Sequence, residues 1–165
     1  MSILETSYII FHLKPYYRNF NKRLIKSSKI YFYDTGLVCS LLGIKDVKQI
    51  NTHYLRGSLF ENLVIAELKK QYYNNAVPDS MYFWRDSSGN EIDCIVEKTD
   101  KLDIIEIKSS ATIHDDFLRN IRLFKKIAGS IVAASIVVYA GMEDLMYDNC
   151  KFISWSHINK NSMLF

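Results

Sequence analysis

GNEIDCIVEKTDKLDIIEIKSS, residues 89–110, alternates apolar and polar side chains through two runs separated by a short polar turn. Alternation with period two marks half-buried strands, so the stretch predicts a β-hairpin. In the first run Glu91, Asp93, Ile95 and Glu97 share one face, and Ile92, Cys94 and Val96 the other. In the second, Leu102, Ile104, Glu106 and Lys108 oppose Ile105 and Ile107. A turn over Lys98–Lys101, closing on Thr99-Asp100 or on all four residues, sets Glu97 opposite Leu102, Asp93 opposite Glu106 and Glu91 opposite Lys108.

Carboxylates directly opposite each other across a strand pair lie roughly 5 Å apart at Cβ and repel unless a cation sits between them. Mg²⁺ or Mn²⁺ meets that need, because a hard cation takes oxygen ligands from one or two carboxylates and leaves room for water and phosphate. Asp93 and Glu106 are then candidate metal ligands, with Lys108 on the same face to hold a water or a phosphate oxygen. The other reading is an exposed strand pair laced with salt bridges, Glu91 to Lys108 among them. The pattern Asp-x(12)-Glu-x-Lys resembles the PD-(D/E)xK nuclease signature.

With 165 residues the chain is long enough for one domain with a real core, or for one domain and an extension. Its 48% apolar and 24% charged content is that of a globular protein. The longest apolar run, IVAASIVVYA at 131–140, is too short to span a bilayer, and the N-terminus has no secretory pattern. Cys39, Cys94 and Cys150 are odd in number and widely spaced, which points away from a disulfide framework or a zinc site and toward a reducing cytoplasm. Charge is unevenly placed: residues 1–56 hold nine Lys/Arg against three Asp/Glu, and residues 57–165 hold twelve against fifteen. A basic segment beside an acidic one suits a phosphate-bearing partner, and a solvated basic face gives the same pattern.

Along the chain, MSILETSYIIFHL predicts a short helix and an apolar strand ended by Pro15. Lys14, Arg18, Lys22, Arg23, Lys26 and Lys29 then interleave with Tyr16, Tyr17 and Phe20. Such a mixture can follow a nucleic-acid backbone and stack on bases, or anchor a loop on a neighbouring domain. IYFY reads as a strand, and Asp34 or Thr35 as the cap of a short helix ending near Gly43, with a catalytic Asp34 the weaker reading. RGSLFENLVIAELKKQYYNN, 56–75, is an amphipathic helix with Phe60, Val64, Ile65, Leu68 and Tyr72 on one arc. Glu61 falls inside that arc and needs a partner, either Arg85 or the carboxylates of the hairpin. MYFWRD, 81–86, predicts a strand, residues 115–128 a helix stopped by Gly129, residues 131–140 a buried strand, and KFISWSHI a last strand or short helix. Arg119, Arg122 and Lys126 lie opposite the apolar stripe of the 115–128 helix, a solvated face that DNA could also meet.

Four ordered blocks, LETSYIIFHLKPYYRNFNKRLIKSSKIYFYDTGL, GSLFENLVIAEL, YFWRDSSGNEIDCIVE and IIEIKSS, resemble the C-terminal part of a large group of prokaryotic AAA-type ATPases. The final domain of that group is a domain of unknown function considered similar to restriction endonucleases, and it follows an ATPase module and a winged-helix segment. The resemblance implies an α/β fold with a restriction-endonuclease-like core: helix, three strands, helix, strand, in a mixed central sheet flanked by helices. It also implies a basic N-terminal extension at 1–56, the remnant of a winged-helix or linker region, and a nuclease-like domain at 57–165. Glu61 would be the helix acid, Asp93 the metal-binding aspartate, and Glu106 and Lys108 the closing Glu-x-Lys. Ile92 stands where the strictest motif has proline.

No G-x-x-x-x-G-K-[ST] sequence is present, so ATP hydrolysis by this chain is not expected, and the chain is expected to be the C-terminal piece of a longer protein. The function expected is metal-dependent cleavage of nucleic-acid phosphodiesters by Glu61, Asp93, Glu106 and Lys108. Lys14, Arg18, Lys22, Arg23, Lys26 and Arg85 are the candidate nucleic-acid contacts. The alternative is a non-catalytic module of the same fold that binds nucleic acid or protein for an attached ATPase.

Overall fold

The computed structural model describes residues 2–17 and 27–160. Helix α1 (Ser2–Thr6) leads into strand β1 (Ile10–Pro15), and β2 (Lys29–Phe32) returns antiparallel to it, with Leu13 opposite Lys29. Asp34 accepts from the Gly36 and Leu37 amides at 2.7 and 3.2 Å and so caps α2 (Thr35–Leu41). Those bonds engage Oδ1 of its carboxylate. A further short helix, α3 (Val47–Thr52), starts at the Asp46 cap; Val47 and Ile50 are its only apolar residues, too few to announce it from the sequence.

Helix α4 (Arg56–Asn74) follows the predicted bounds and buries Leu59, Val64, Ile65, Leu68 and Tyr72. Each such side chain contributes about 1.5–3 kcal/mol on full burial. Next come β3 (Met81–Arg85), β4 (Glu91–Lys98) and β5 (Lys101–Lys108), the last two closing on a two-residue turn with Lys98 opposite Lys101. One 3₁₀ turn (Asp115–Leu118) precedes α5 (Arg119–Ala128), which ends where Gly129 takes a φ of 63° that a side chain would disfavour. Strands β6 (Val132–Tyr139), β7 (Leu145–Tyr147) and β8 (Cys150–Ser154) and a 3₁₀ segment (Trp155–Lys160) complete the described chain. KFISWSHI is therefore strand and then helix, and β7 is an addition to the predicted set.

The strands form one eight-stranded mixed sheet in the order β2-β1-β3-β4-β5-β6-β8-β7. Strand β1 runs parallel to β3, and β6 runs parallel to both β5 and β8. From α4 onward the elements run helix, three strands, helix, strand, the predicted sequence. The N-terminal segment does not stand apart, since β1 and β2 widen the same sheet.

Two cores fill the two faces. On the α4 face Val64, Ile65, Leu68 and Tyr72 pack on Phe83, Cys94, Val96, Ile105, Ile107 and Val138. Across the sheet Phe117, Ile121 and Phe124 meet Trp84, Ile92, Ile95, Leu102, Ile104 and Val137, with the Trp84 and Phe124 rings edge to face at 5.1 Å. No described helix is long and apolar enough to cross a membrane.

One local feature breaks the predicted alternation. Tyr82 pairs with Ile95 but Trp84 with Ile92, so two steps of β3 meet three of β4, a β-bulge spanning Asp93 and Cys94. Ile92 and Ile95 both enter the α5 core as a result. Glu97 goes with them, its carboxylate accepting from Tyr16 Oη at 3.0 Å. The single face expected for Glu91, Asp93, Ile95 and Glu97 is thus split in two, because the extra residue resets the pleat.

Candidate functional site

The bulge opens the end of the hairpin. Ladder pairs run from Lys98–Lys101 to Cys94–Ile105, as predicted from the turn. Beyond them the Ile107 amide donates to Asp93 Oδ2 at 2.8 Å, so a side chain takes the place of a strand partner. Glu91 consequently does not sit opposite Lys108, and the predicted ion pair between them is replaced. Glu91 instead pairs with Lys29 and with Arg85, whose Nε lies 2.5 Å away, while Lys108 Nζ holds Glu106 Oε1 at 2.8 Å.

Asp93 joins Glu91 and Glu61: one carboxylate oxygen from each lies within 4.8 Å of the others. Glu61 arrives from α4, where its place on the apolar arc turns it inward against the sheet. Of its two predicted partners it meets the hairpin acids. Tyr31 of β2 donates to Glu61 Oε1 at 2.5 Å, and Lys29 Nζ lies 2.7 Å from the same oxygen. Burial, reinforced by Glu61, holds the Tyr31 phenol protonated well above its ordinary range, so that hydroxyl acts as a donor.

Glu106 lies outside this trio of close oxygens. It is 2% exposed; Oε1 accepts from Lys108 and from Asn120 of α5 at 3.1 Å, while Oε2 is buried without a hydrogen-bond partner among the described residues. Burial pushes the Asp93 carboxyl well above the usual carboxylate range, and the charges of Glu106 and Glu61 add to the effect. Burial also raises Glu106, against the opposing pull of Lys108 and Asn120. Lys29 and Lys108 are both held above the ordinary lysine value: burial opposes their charge, and the facing carboxylates outweigh it.

The donor set is all oxygen, the four carboxylates of Glu61, Glu91, Asp93 and Glu106 face three cationic side chains, Lys29, Arg85 and Lys108, and Glu106 Oε2 is unsatisfied among the described residues. Those are the requirements of a hard divalent cation such as Mg²⁺ or Mn²⁺, so the residues fit one. A cavity of about 440 Å³ opens beside Glu61, lined by Lys29, Glu61 and Arg85 and also by Val38, Leu42 and Leu59.

Of the candidate nucleic-acid contacts, Lys14 is exposed on β1 and Arg85 half-exposed beside the trio. Arg18, Lys22, Arg23 and Lys26 lie outside the described residues. Arg122 on α5 is engaged by Asp115 and Asp148. Sequence reasoning passed over Tyr31, Glu91 and Asn120 as site residues and placed Lys29 only in the basic run of the N-terminal segment. Glu91 carried a signal, since it shares a strand face with Asp93; the other three reach the site only through the fold.

These features define an α/β protein with a carboxylate and lysine cluster at the open end of a central hairpin. Residues 56–158 match a family described as a domain of unknown function (DUF4143), and residues 1–48 match a second, also described as a domain of unknown function (DUF8612). The chain belongs to the DUF4143 family. It is similar to the uncharacterized protein Rv2008c of Mycobacterium tuberculosis and to the uncharacterized protein Mb2031c of Mycobacterium bovis, 31% identical to each over 112 residues. The match spans 68% of this chain and 24% of each relative, so the chain corresponds to about a quarter of their length.

Proposed function

We propose that this domain is a restriction-endonuclease-like, cation-dependent unit acting on nucleic-acid phosphodiesters, and that it serves as the C-terminal part of an AAA-type ATPase. The observation that carries the reading is the meeting of Glu61, Glu91 and Asp93 beside the Glu106–Lys108 pair, where the two hairpin strands part. Asp93 and Glu106 would hold Mg²⁺ or Mn²⁺, with Glu61 and Glu91 in support. Bound there, the ion would supply charge stabilisation at the phosphate and lower the pKa of an attacking water. Lys108 has the chain's own part in the chemistry: its ammonium, oriented by Glu106 and 28% exposed, can donate to a phosphate oxygen or position the water. Arg85 can hold a neighbouring phosphate from the rim.

Isothermal titration of MnCl₂ should give saturable binding that Asp93→Asn abolishes. Nicking of plasmid DNA under Mg²⁺ or Mn²⁺ should fall roughly a hundredfold or more in Asp93→Asn and Lys108→Ala. Variants as active as wild type would refute the assignment.

A second reading is favoured by one specific observation: Lys29 and Arg85 already give Glu61 and Glu91 protein partners. On that reading the domain is a non-catalytic module that binds nucleic acid or protein for an ATPase. Its activities would then be indifferent to chelator.

A further inference from the structure

The trio carries a cation of its own. Lys29 Nζ lies 2.7 Å from Glu61 Oε1 and is also paired with Glu91, while Asp93 contributes to holding its charge. The Lys29 side chain is only 18% exposed, closed in by Tyr31 and by Phe83, whose ring centroids lie 6.0 and 5.6 Å from the ammonium. Arg85 covers the other oxygen of Glu91. A divalent ion held by Asp93 and Glu106 with Glu61 and Glu91 in support draws on oxygens that Lys29 already engages, and an ammonium and a dication a few ångströms apart repel strongly in so buried a place.

We infer that Lys29 is a built-in counter-cation that occupies the place of the divalent ion and must withdraw for the ion to bind. The inference rests on the metal-binding reading above and adds the residue that sets its affinity. The cavity beside Glu61 is the space into which the ammonium can turn, since Lys29 lines it already, together with Arg85.

The test compares wild type, Lys29→Met and Lys29→Gln by isothermal titration of MnCl₂. Loss of the ammonium should tighten Mn²⁺ binding at least roughly tenfold in both variants. Binding seen in the variants alone would support the inference as well. Equal or weaker binding than wild type would overturn it and leave the metal reading standing, whereas no binding by any of the three would overturn both. Removing Lys29 could unfold the chain, so wild type is also labelled with acetic anhydride and the Lys29 peptide quantified with and without saturating Mn²⁺. Acetylation of Lys29 should rise several-fold with the ion, relative to exposed lysines in the same digest. Unchanged protection under saturating Mn²⁺ would overturn the inference.

Discussion

Asp93 shows how far one extra residue in a strand can redirect chemistry. Plain alternation would have left it and Glu91 on a face with Ile95 and Glu97; the bulge with Cys94 parts the two acids from that pair and leaves them beside Glu61. Its carboxyl, like that of Glu106, has a folded-state pKa above the usual value. An acid raised in this way takes up its proton on folding. Its contribution to stability is complete below the unfolded pKa and is lost as pH rises through the folded one. With chelator present, the thermal midpoint of wild type should therefore drop relative to Asp93→Asn as pH rises above the unfolded aspartate value of about 4. Parallel curves for the two proteins would contradict this. The direction is opposite to that of Asp115, whose hydrogen bond from Arg122 lowers its pKa and whose small exposed contribution fades in acid.

At the scale of elements, the site depends on how the β1–β2 hairpin is tied to α4. Asn62 is the tie: its Oδ1 accepts from the Phe32 amide at 2.8 Å, and its Nδ2 donates to the Phe32 carbonyl and to Thr35 Oγ1 at 3.1 and 2.8 Å. A side chain only 7% exposed thus satisfies the backbone at the end of β2 and the first residue of α2. Asn62→Ala should lower stability in urea unfolding by about 1–3 kcal/mol, because buried polar groups lose their partners. Amide exchange should quicken at Phe32 and its neighbours and stay slow in β4–β6. From the sequence Asn62 is an ordinary flank residue of the helix; its role exists only because β2 passes over it.

Across the whole molecule, strands β1 and β2 of the basic N-terminal segment lie in the same sheet as the strands of the acidic remainder. Removing residues 1–56 would strip β1 and β2 from β3 and take Lys29 and Tyr31 out of the site, so such a deletion mixes charge with folding. Neutralisation is the cleaner probe. Replacing Lys14, Arg18, Lys22, Arg23 and Lys26 with Gln should flatten the dependence of log affinity on log salt for duplex DNA, by about 0.9 for each phosphate that no longer meets a cationic side chain. Filter binding from low to moderate salt reads that slope, and an unchanged slope would remove this segment from the interface.

What the sequence by itself determined is what local periodicity and turn chemistry encode: the hairpin and its register from the turn as far as Cys94 and Ile105, the long α4 with an acid on its apolar arc, the Asp34 cap, the Gly129 stop and the order of elements. These follow from side-chain alternation and backbone preference within a few residues. Tertiary structure decided what meets at the open end of the hairpin. The bulge in β4 depends on pairing with β3, and the gathering of Lys29, Tyr31, Glu61, Glu91 and Asp93 depends on three elements far apart in the chain. Charges that attract only once folding has buried them together leave no periodic trace in the sequence, and for that reason the lysine at the centre of this site had to be found in the fold.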